Sequence, residues 1–146
     1  MTPSTPSQTL QLLHTMDLDV NIFDTDCYGV MWHGAYTKWM EMGRVKLFES
    51  QGVILSKPNE PEGFVYPVVE QNLKFRTSAP YGDKLTLSTR LVVDGYKLIF
   101  HQNFRSQTTD KVTLEAITTV VVVDANWKVQ RRLPSKLIEV LGLAAE

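Results

Sequence analysis

The chain has 146 residues, of which 43% are hydrophobic and 21% are charged, and its formal net charge is −1. These values are typical of one globular domain that buries a core, and the absence of a basic excess argues against nucleic acid as the main partner. The longest apolar run, Val120–Val123, is far shorter than the roughly 20 residues that span a bilayer, so no membrane span is predicted. The single cysteine, Cys27, excludes an internal disulfide and favours a cytoplasmic location.

The first part of the chain predicts a tail followed by a strand. Residues 1–12 are rich in Ser, Thr and Pro, which indicates a flexible N-terminal tail, and residues 13–146 are expected to form a single domain. Alternating apolar residues over 14–24 predict the first strand.

A long helix is predicted over residues 34–51, and a polar loop that contains proline over residues 57–63. The apolar residues of the helix cover most of its circumference, so we expect it to be buried on several sides. Gly43 weakens a helix interior by about 1 kcal/mol relative to alanine, and its presence indicates a close approach of a neighbouring element.

Four further strands are predicted by a period of two in the apolar residues, at 64–76, 84–94, 97–107 and 111–124. Asp94-Gly95 is typical of a tight hairpin, and Pro134 predicts the start of a short helix that continues to Leu141. One apolar helix and a large antiparallel sheet predict an α+β fold in which a curved sheet wraps around the helix. Since one face and one edge of that sheet would remain open, we expect an oligomer.

Residues 24–36 contain the most specific chemical pattern. They place the carboxylate of Asp26 near the end of a strand, a turn at Gly29, and His33 close to the start of the long helix. A carboxylate near a helix N-terminus suits attack on a polarised carbonyl, because the helix dipole stabilises an oxyanion. The alternative is that Asp26 only caps a helix or closes an Asx turn, and such a structural role is what we expect for Asp24.

The other single residues with reactive side chains are given structural roles. His14 and His101 are interpreted as structural histidines, and Cys27 as a packing or pocket-lining residue, because no histidine–carboxylate pair is evident for it. The sequence contains no metal-ligand cluster, no phosphate-binding glycine loop and no nucleophile elbow, so neither a metal nor an organic cofactor is expected.

Two segments carry a resemblance to a known family. The first is Phe23–Val30 with the aromatic residues and the helical run that follow it, and the second is 75–85 around Pro-x-x-Gly-Asp. Together with the order of elements over roughly 14–142, they resemble the hotdog fold, and more narrowly the 4-hydroxybenzoyl-CoA thioesterase and YbgC-like acyl-CoA thioesterase family.

The resemblance implies hydrolysis of an acyl-CoA thioester in a groove between two subunits. The family's catalytic aspartate falls on Asp26, which would act as the nucleophile or as the base that activates water. The oxyanion site would be the backbone N–H near His33 and Gly34, and the His33 side chain would orient the carbonyl or water, or carry a proton. No metal or cofactor is implied. A homodimer is the minimum expected, and a homotetramer is the larger alternative.

The predicted substrate contacts combine the Asp26 segment with basic residues that would hold the phosphates of CoA. They are Tyr28, Gly29, Val30, Trp32, Tyr36, Arg76, Lys84 and Lys97. The aromatic residues suit an aryl acyl group or a short or medium aliphatic one, and the carrier is either CoA or an acyl-carrier protein. The chain departs from the family at Cys27-Tyr28, where members usually have small residues or proline, and this difference affects the shape of the acyl pocket.

Two other functions remain as alternatives. One is a hotdog-fold hydratase or dehydratase that acts on acyl thioesters, and the other is an acyl-CoA-binding protein without catalysis. Release of free CoA distinguishes both from a thioesterase, because neither liberates a thiol.

Overall fold

The computed structural model describes residues 11–53 and 65–142. Within these ranges the elements are β1 (Gln11–Asp19), a 3-10 turn (Ile22–Asp24), α1 (His33–Ser50), β2 (Val68–Phe75), β3 (Lys84–Asp94), β4 (Lys97–Ser106), β5 (Val112–Val120) and α2 (Ser135–Leu141). The five strands form one antiparallel sheet in the order β1-β3-β4-β5-β2. The predicted α+β architecture, with one long helix against an antiparallel sheet and a short C-terminal helix, is confirmed.

Strand alternation predicted the central strands well. β3 has the predicted bounds, and Asp94 pairs with Lys97 across the predicted hairpin, where Gly95 has a φ of 63°. In β3 and β4 the buried and less buried residues alternate, because one face of the sheet is covered by α1 and the core.

The prediction of a strand over 14–24 is wrong at both ends. β1 begins at Gln11 and ends at Asp19, because Asn21 starts a 3-10 turn in which its N–H and side-chain amide both donate to Asp24 Oδ2, at 3.0 Å each. The predicted tail 1–12 lies mostly outside the described residues. The predicted loop 57–63 lies wholly outside them, as does the first residue of the strand predicted at 64–76.

The bounds of the other elements also differ, and β2 covers Val68–Phe75 rather than 64–76. α1 begins one residue earlier than predicted and ends at Ser50, and β4 ends one residue earlier, at Ser106. β5 ends at Val120 rather than at 124, since Val123 instead forms isolated bridges with Val65 and Val129.

The long helix lies across one face of the sheet and buries a single stripe of residues. These are Ala35, Tyr36, Met40, Gly43, Leu47 and Phe48. Lys38, Glu41, Lys46 and Glu49 are exposed, so within one chain the expectation of burial on several sides is wrong. None of the helices in the described ranges has the length and apolar character that crossing a bilayer requires.

Gly43 allows a close approach of α1 to the sheet, as its position predicted. A Cβ at this residue would lie 2.7 Å from Thr89 Oγ1 and 2.9 Å from Gln102 Nε2. The Gln102 amide donates to the carbonyl of Met40 at 2.9 Å and to Thr89 Oγ1 at 3.0 Å. This buried polar contact divides the apolar core into one cluster around Tyr36 and Phe104 and another around Leu47 and Phe100.

Candidate active site

Asp26 lies on a tight turn that directly precedes α1. Its N–H donates to the carbonyl of Val30 and its own carbonyl accepts the N–H of Gly29, both at 3.0 Å. Gly29 has a φ of 77°, a conformation that residues with a side chain adopt at a cost. The Asp26 carboxylate is exposed and its Oδ1 accepts the N–H of Tyr28 at 2.8 Å, so the Asx turn considered in the sequence is present. This hydrogen bond holds the carboxylate in place, which a reacting group also requires.

A second turn, at Tyr81 and Gly82, fixes the position of the Asp26 turn. The N–H of Tyr81 donates to the carbonyl of Gly29 at 3.0 Å, and the N–H of Met31 donates to the carbonyl of Ala79 at 2.8 Å. The second turn is also attached to the residue that follows β1, because the N–H of Val20 donates to the carbonyl of Asp83 at 2.8 Å and the N–H of Gly82 donates to the carbonyl of Val20 at 3.0 Å. The two segments that carried the family resemblance are therefore hydrogen-bonded to each other.

The N-terminus of α1 follows the Asp26 turn immediately. Trp32 is the N-cap residue, and its side chain caps nothing. Among the described residues, the backbone N–H groups of His33 and Gly34 have no acceptor. Such unpaired N–H groups carry the positive end of the helix dipole. The indole of Trp32 lies against Gly34, where a Cβ would overlap its six-membered ring.

Asp24 has the structural role that the sequence suggested. Its side chain is 1% exposed, and it accepts the two bonds from Asn21 together with a contact of 3.4 Å from Lys38 Nζ. Its carbonyl accepts the N–H of Trp32 at 3.1 Å. Asp24 thus links the 3-10 turn to the start of α1, while the carboxylate of Asp26 remains exposed.

An open pocket of about 310 Å³ lies beside the Asp26 turn and the start of α1. Its lining consists of Val30, Met31, Tyr36, Phe75, Arg76, Thr77 and Ser78. The ring of Phe75 lies 6.3 Å from that of His33 and 6.0 Å from that of Tyr36, measured between centroids. The pocket therefore has an aromatic wall that extends to the first residue of α1.

Tyr36 is more a core residue than a surface contact. It is 2% exposed and packs edge-on against Phe104, with 4.9 Å between the ring centroids. Burial raises the pKa of Tyr36 above its ordinary value, a hydrogen bond with Thr113 partly offsets this, and the charge of Asp83 raises it further. The phenol is therefore neutral at physiological pH, and the Tyr36 side chain forms part of the pocket lining beside Phe75.

The predicted basic residues lie at two different ends of the sheet. Arg76 lines the pocket, and its Nε donates to Glu115 at 2.6 Å. Lys84 begins β3 at the same end of the sheet, and its Nζ lies 3.7 Å from Asp19 Oδ1. Lys97 lies just past the other end of β3. The length of β3 separates it from Lys84 by roughly 35 Å, so within one chain Lys97 does not lie near the Asp26 turn.

The other predicted contacts differ in their access to the pocket. Val30 lines it, whereas Tyr28 is 84% exposed on the turn and Trp32 is half exposed. Sequence reasoning did not select Met31, Phe75, Thr77 and Ser78. Phe75, Thr77 and Ser78 lie at the start of the segment 75–85 around Pro-x-x-Gly-Asp, so this motif could have identified them as pocket residues. Within the described ranges no group of His, Cys, Asp and Glu is arranged to hold a metal ion.

Comparison with protein families gives a match over residues 20–141 to the family described as the Thioesterase-like superfamily. A curated relative, the putative acyl-CoA thioesterase YneP of Bacillus subtilis, is 26% identical over 109 residues, which cover 74% of this chain and 78% of the relative.

Solved structures of low sequence identity share the fold. The 4-hydroxybenzoyl-CoA thioesterase from Pseudomonas sp. strain CBS-3 has a TM-score of 0.78 at 22% identity, covering 88% of this chain and 99% of that one. The 1,4-dihydroxy-2-naphthoyl-CoA thioesterase from Synechocystis also has a TM-score of 0.78, at 17% identity, covering 89% of this chain and 96% of that one. The fold is thus the hotdog fold.

Proposed function

The chain belongs to the Thioesterase-like superfamily and is a thioester hydrolase, and on this premise we propose that it hydrolyses acyl-CoA thioesters at Asp26. One observation carries the assignment of the site. The Asp26 carboxylate lies on a turn that is hydrogen-bonded into one unit with the start of α1, beside a pocket with an aromatic wall. A reacting carbonyl would find an acidic side chain and unpaired N–H donors within the same few residues.

The chemistry requires stabilisation of the oxyanion that forms on the thioester carbonyl. The unpaired N–H groups of His33 and Gly34 supply it, and in comparable sites one such donor lowers the barrier by about 3–4 kcal/mol. Asp26 either attacks the carbonyl carbon, giving an acyl-aspartate anhydride that water then hydrolyses, or removes a proton from the attacking water. In both cases the C–S bond breaks and CoA leaves as its thiolate. The His33 imidazole orients the carbonyl or the water.

The acyl group occupies the pocket beside Phe75. Its aromatic wall, formed with the rings of His33 and Tyr36, suits an aryl acyl group and also a short or medium aliphatic one. Tyr28 and Trp32 are exposed on the approach to the pocket, where they would contact the pantetheine arm.

The carrier is CoA in this proposal, and the active unit is a homodimer. β2 is an edge strand, bound only to β5 in the described residues, and it exposes Val68 and Val69. Pairing of two β2 edges by a two-fold axis would extend the sheet and cover these residues. Antiparallel pairing reverses the second sheet, so Lys97 of the second copy would lie toward the Asp26 end of the first, where Arg76 and Lys84 already lie.

The proposed compartment is the cytoplasm. Cys27 is exposed and unpaired, which suits a reducing environment.

Thiol release from a panel of aryl and aliphatic acyl-CoAs tests the function. We expect turnover by the wild type and a loss of at least about a thousandfold in Asp26→Asn, which keeps the shape and the Tyr28 contact but lacks the charge. Asp17→Asn, on β1 at the edge of the sheet opposite to the proposed interface, is the matched control and should keep full activity. Wild-type turnover in Asp26→Asn would exclude the proposed role. CoA binding without thiol release from any substrate would favour the hydratase or the binding protein.

A further inference from the structure

A second pocket lies on the opposite face of the sheet from α1 and the Asp26 turn. It has a volume of about 310 Å³ and crosses all five strands. One row of register partners forms its centre, in which Leu13 faces Arg90, Arg90 faces His101, and His101 faces Ile117. We call these four residues the outer row. Neighbouring strands lie about 4.8 Å apart, so adjacent members of the outer row are within reach of one small ligand.

The charge of this pocket is positive. Arg90 and Lys74 both line it, and within residues 11–53 and 65–142 neither has a carboxylate in ion-pair distance. Glu115 also lines it, but Arg76 already holds its Oε2 at 2.6 Å. Two cations without a carboxylate partner therefore face the pocket, and an arginine binds a carboxylate through two parallel hydrogen bonds.

The ends of the outer row are apolar. Leu13 is 71% exposed and Ile117 is 43% exposed, although they are large aliphatic side chains. The polar groups Ser88, Asn72 and Asn103 lie between and beside the cations. The pocket thus combines a cationic centre with apolar ends, which is complementary to a molecule that has one acidic group and a hydrocarbon part.

The groups around His101 make the pocket sensitive to pH. Partial burial and the positive charge of Arg90 on β3 lower the pKa of His101. The other charged side chains on this face near His101 are Glu115 on β5, and Lys74 and Glu70 on β2. A bound carboxylate would offset the repulsion from Arg90 and favour the charged imidazolium. By linkage, binding of the acid would strengthen as the pH falls toward the pKa of His101.

We propose that this outer pocket is a binding site for a small organic acid, with the carboxylate between Arg90 and His101 and the hydrocarbon part against Ile117. The site is separate from the catalytic one, because the sheet lies between them. Its lining residues all belong to strands, and none of them is part of the Asp26 turn.

Proton NMR of the histidines tests the proposal on the intact chain, which has three. We expect hexanoate to shift the His101 ring signal saturably and to raise the pKa of His101, whereas acetate at the same concentration has a smaller effect. His101→Gln assigns the signal. Arg90→Gln should weaken the response about tenfold, because a charge-assisted bond is lost. Arg105→Gln, on the same face but paired with Asp110, is the matched control and should respond as the wild type does.

Three outcomes would overturn the proposal. They are a His101 signal that does not respond to hexanoate, an equal response to acetate, and a response that is undiminished in Arg90→Gln. If another copy of the chain covered the pocket, the His101 signal would not respond to hexanoate. The readout does not depend on turnover, so a chain that fails to hydrolyse acyl-CoA still gives a valid result, and a failure here leaves the proposed reaction intact.

Discussion

The N–H of Tyr81 donates a hydrogen bond of 3.0 Å to the carbonyl of Gly29. These residues are 52 positions apart, and each lies in one of the two segments that resemble the thioesterase family. The bond fixes the glycine that closes the Asp26 turn, so the position of the carboxylate depends on a turn at the start of β3 as well as on its own sequence. Preorganisation of this kind is what a site for carbonyl chemistry requires.

Gly34→Ala should weaken substrate binding more than folding. The new Cβ would overlap the Trp32 indole, which is half exposed and can rotate away. If this ring contacts the substrate as proposed, its displacement removes a contact worth about 1 kcal/mol, and KM should rise about fivefold. Steady-state thiol release measures this. In a Trp32→Ala background the same substitution should leave KM unchanged, and a further rise there would contradict the explanation.

Gly43→Ala should destabilise the fold, although alanine is the better helix former. The helix would gain about 1 kcal/mol, but the Cβ would press on Thr89 Oγ1 and Gln102 Nε2, at a cost of about 1–3 kcal/mol for overpacking and more for a strained buried hydrogen bond. We expect a net loss of about 1–2 kcal/mol in the free energy of unfolding, measured by denaturant titration.

A double-mutant cycle identifies the cause of that loss. Gln102→Ala removes one of the atoms that the new methyl group meets, so Gly43→Ala should cost less in that background than in the wild type. Strictly additive costs would show that Gln102 does not resist the substitution.

Val69→Lys should prevent association of the chain. Val69 is 56% exposed on the edge strand β2, and a lysine there would place a charge in the proposed interface. Light scattering after size exclusion should give about twice the 16.6 kDa chain mass for the wild type and one chain mass for the variant. Leu13→Lys, on the opposite edge strand, is the control and should remain dimeric. A monomeric wild type would exclude the dimer.

Asp124→Asn should change how stability depends on pH. The N–H groups of Lys128 and Asn126 donate to Asp124 Oδ1 at 3.0 and 2.9 Å, and Gln130 donates to Oδ2, so the pKa of Asp124 lies below its ordinary value of 3.8. A lowered pKa in the folded state contributes stability above about 3.8, and this contribution is lost as the pH falls through the folded value. The variant should therefore be less stable than the wild type at pH 7, by a difference that shrinks toward pH 2.5. Denaturant titrations at both pH values measure it, and a constant difference would contradict this origin.

The sequence by itself determined the features that depend on near neighbours. Alternation gave β3 its observed ends, Asp94-Gly95 gave the hairpin, and the position of Gly43 indicated a close approach that the structure contains. The turn at Asp26 was also readable, because an acidic residue three positions before a glycine with positive φ closes it locally. Such signals lie within a few residues of one another, so no tertiary contact is needed to interpret them.

The tertiary structure decided what depends on pairing between distant segments. Only the strand order shows that β2 is an open edge of the sheet. Only packing shows that Tyr36 is buried next to Phe75, and that Asp24 is enclosed while Asp26 remains exposed. The physical reason is that burial and proximity arise when segments far apart in the chain share one core, a condition that local patterns of residues do not encode.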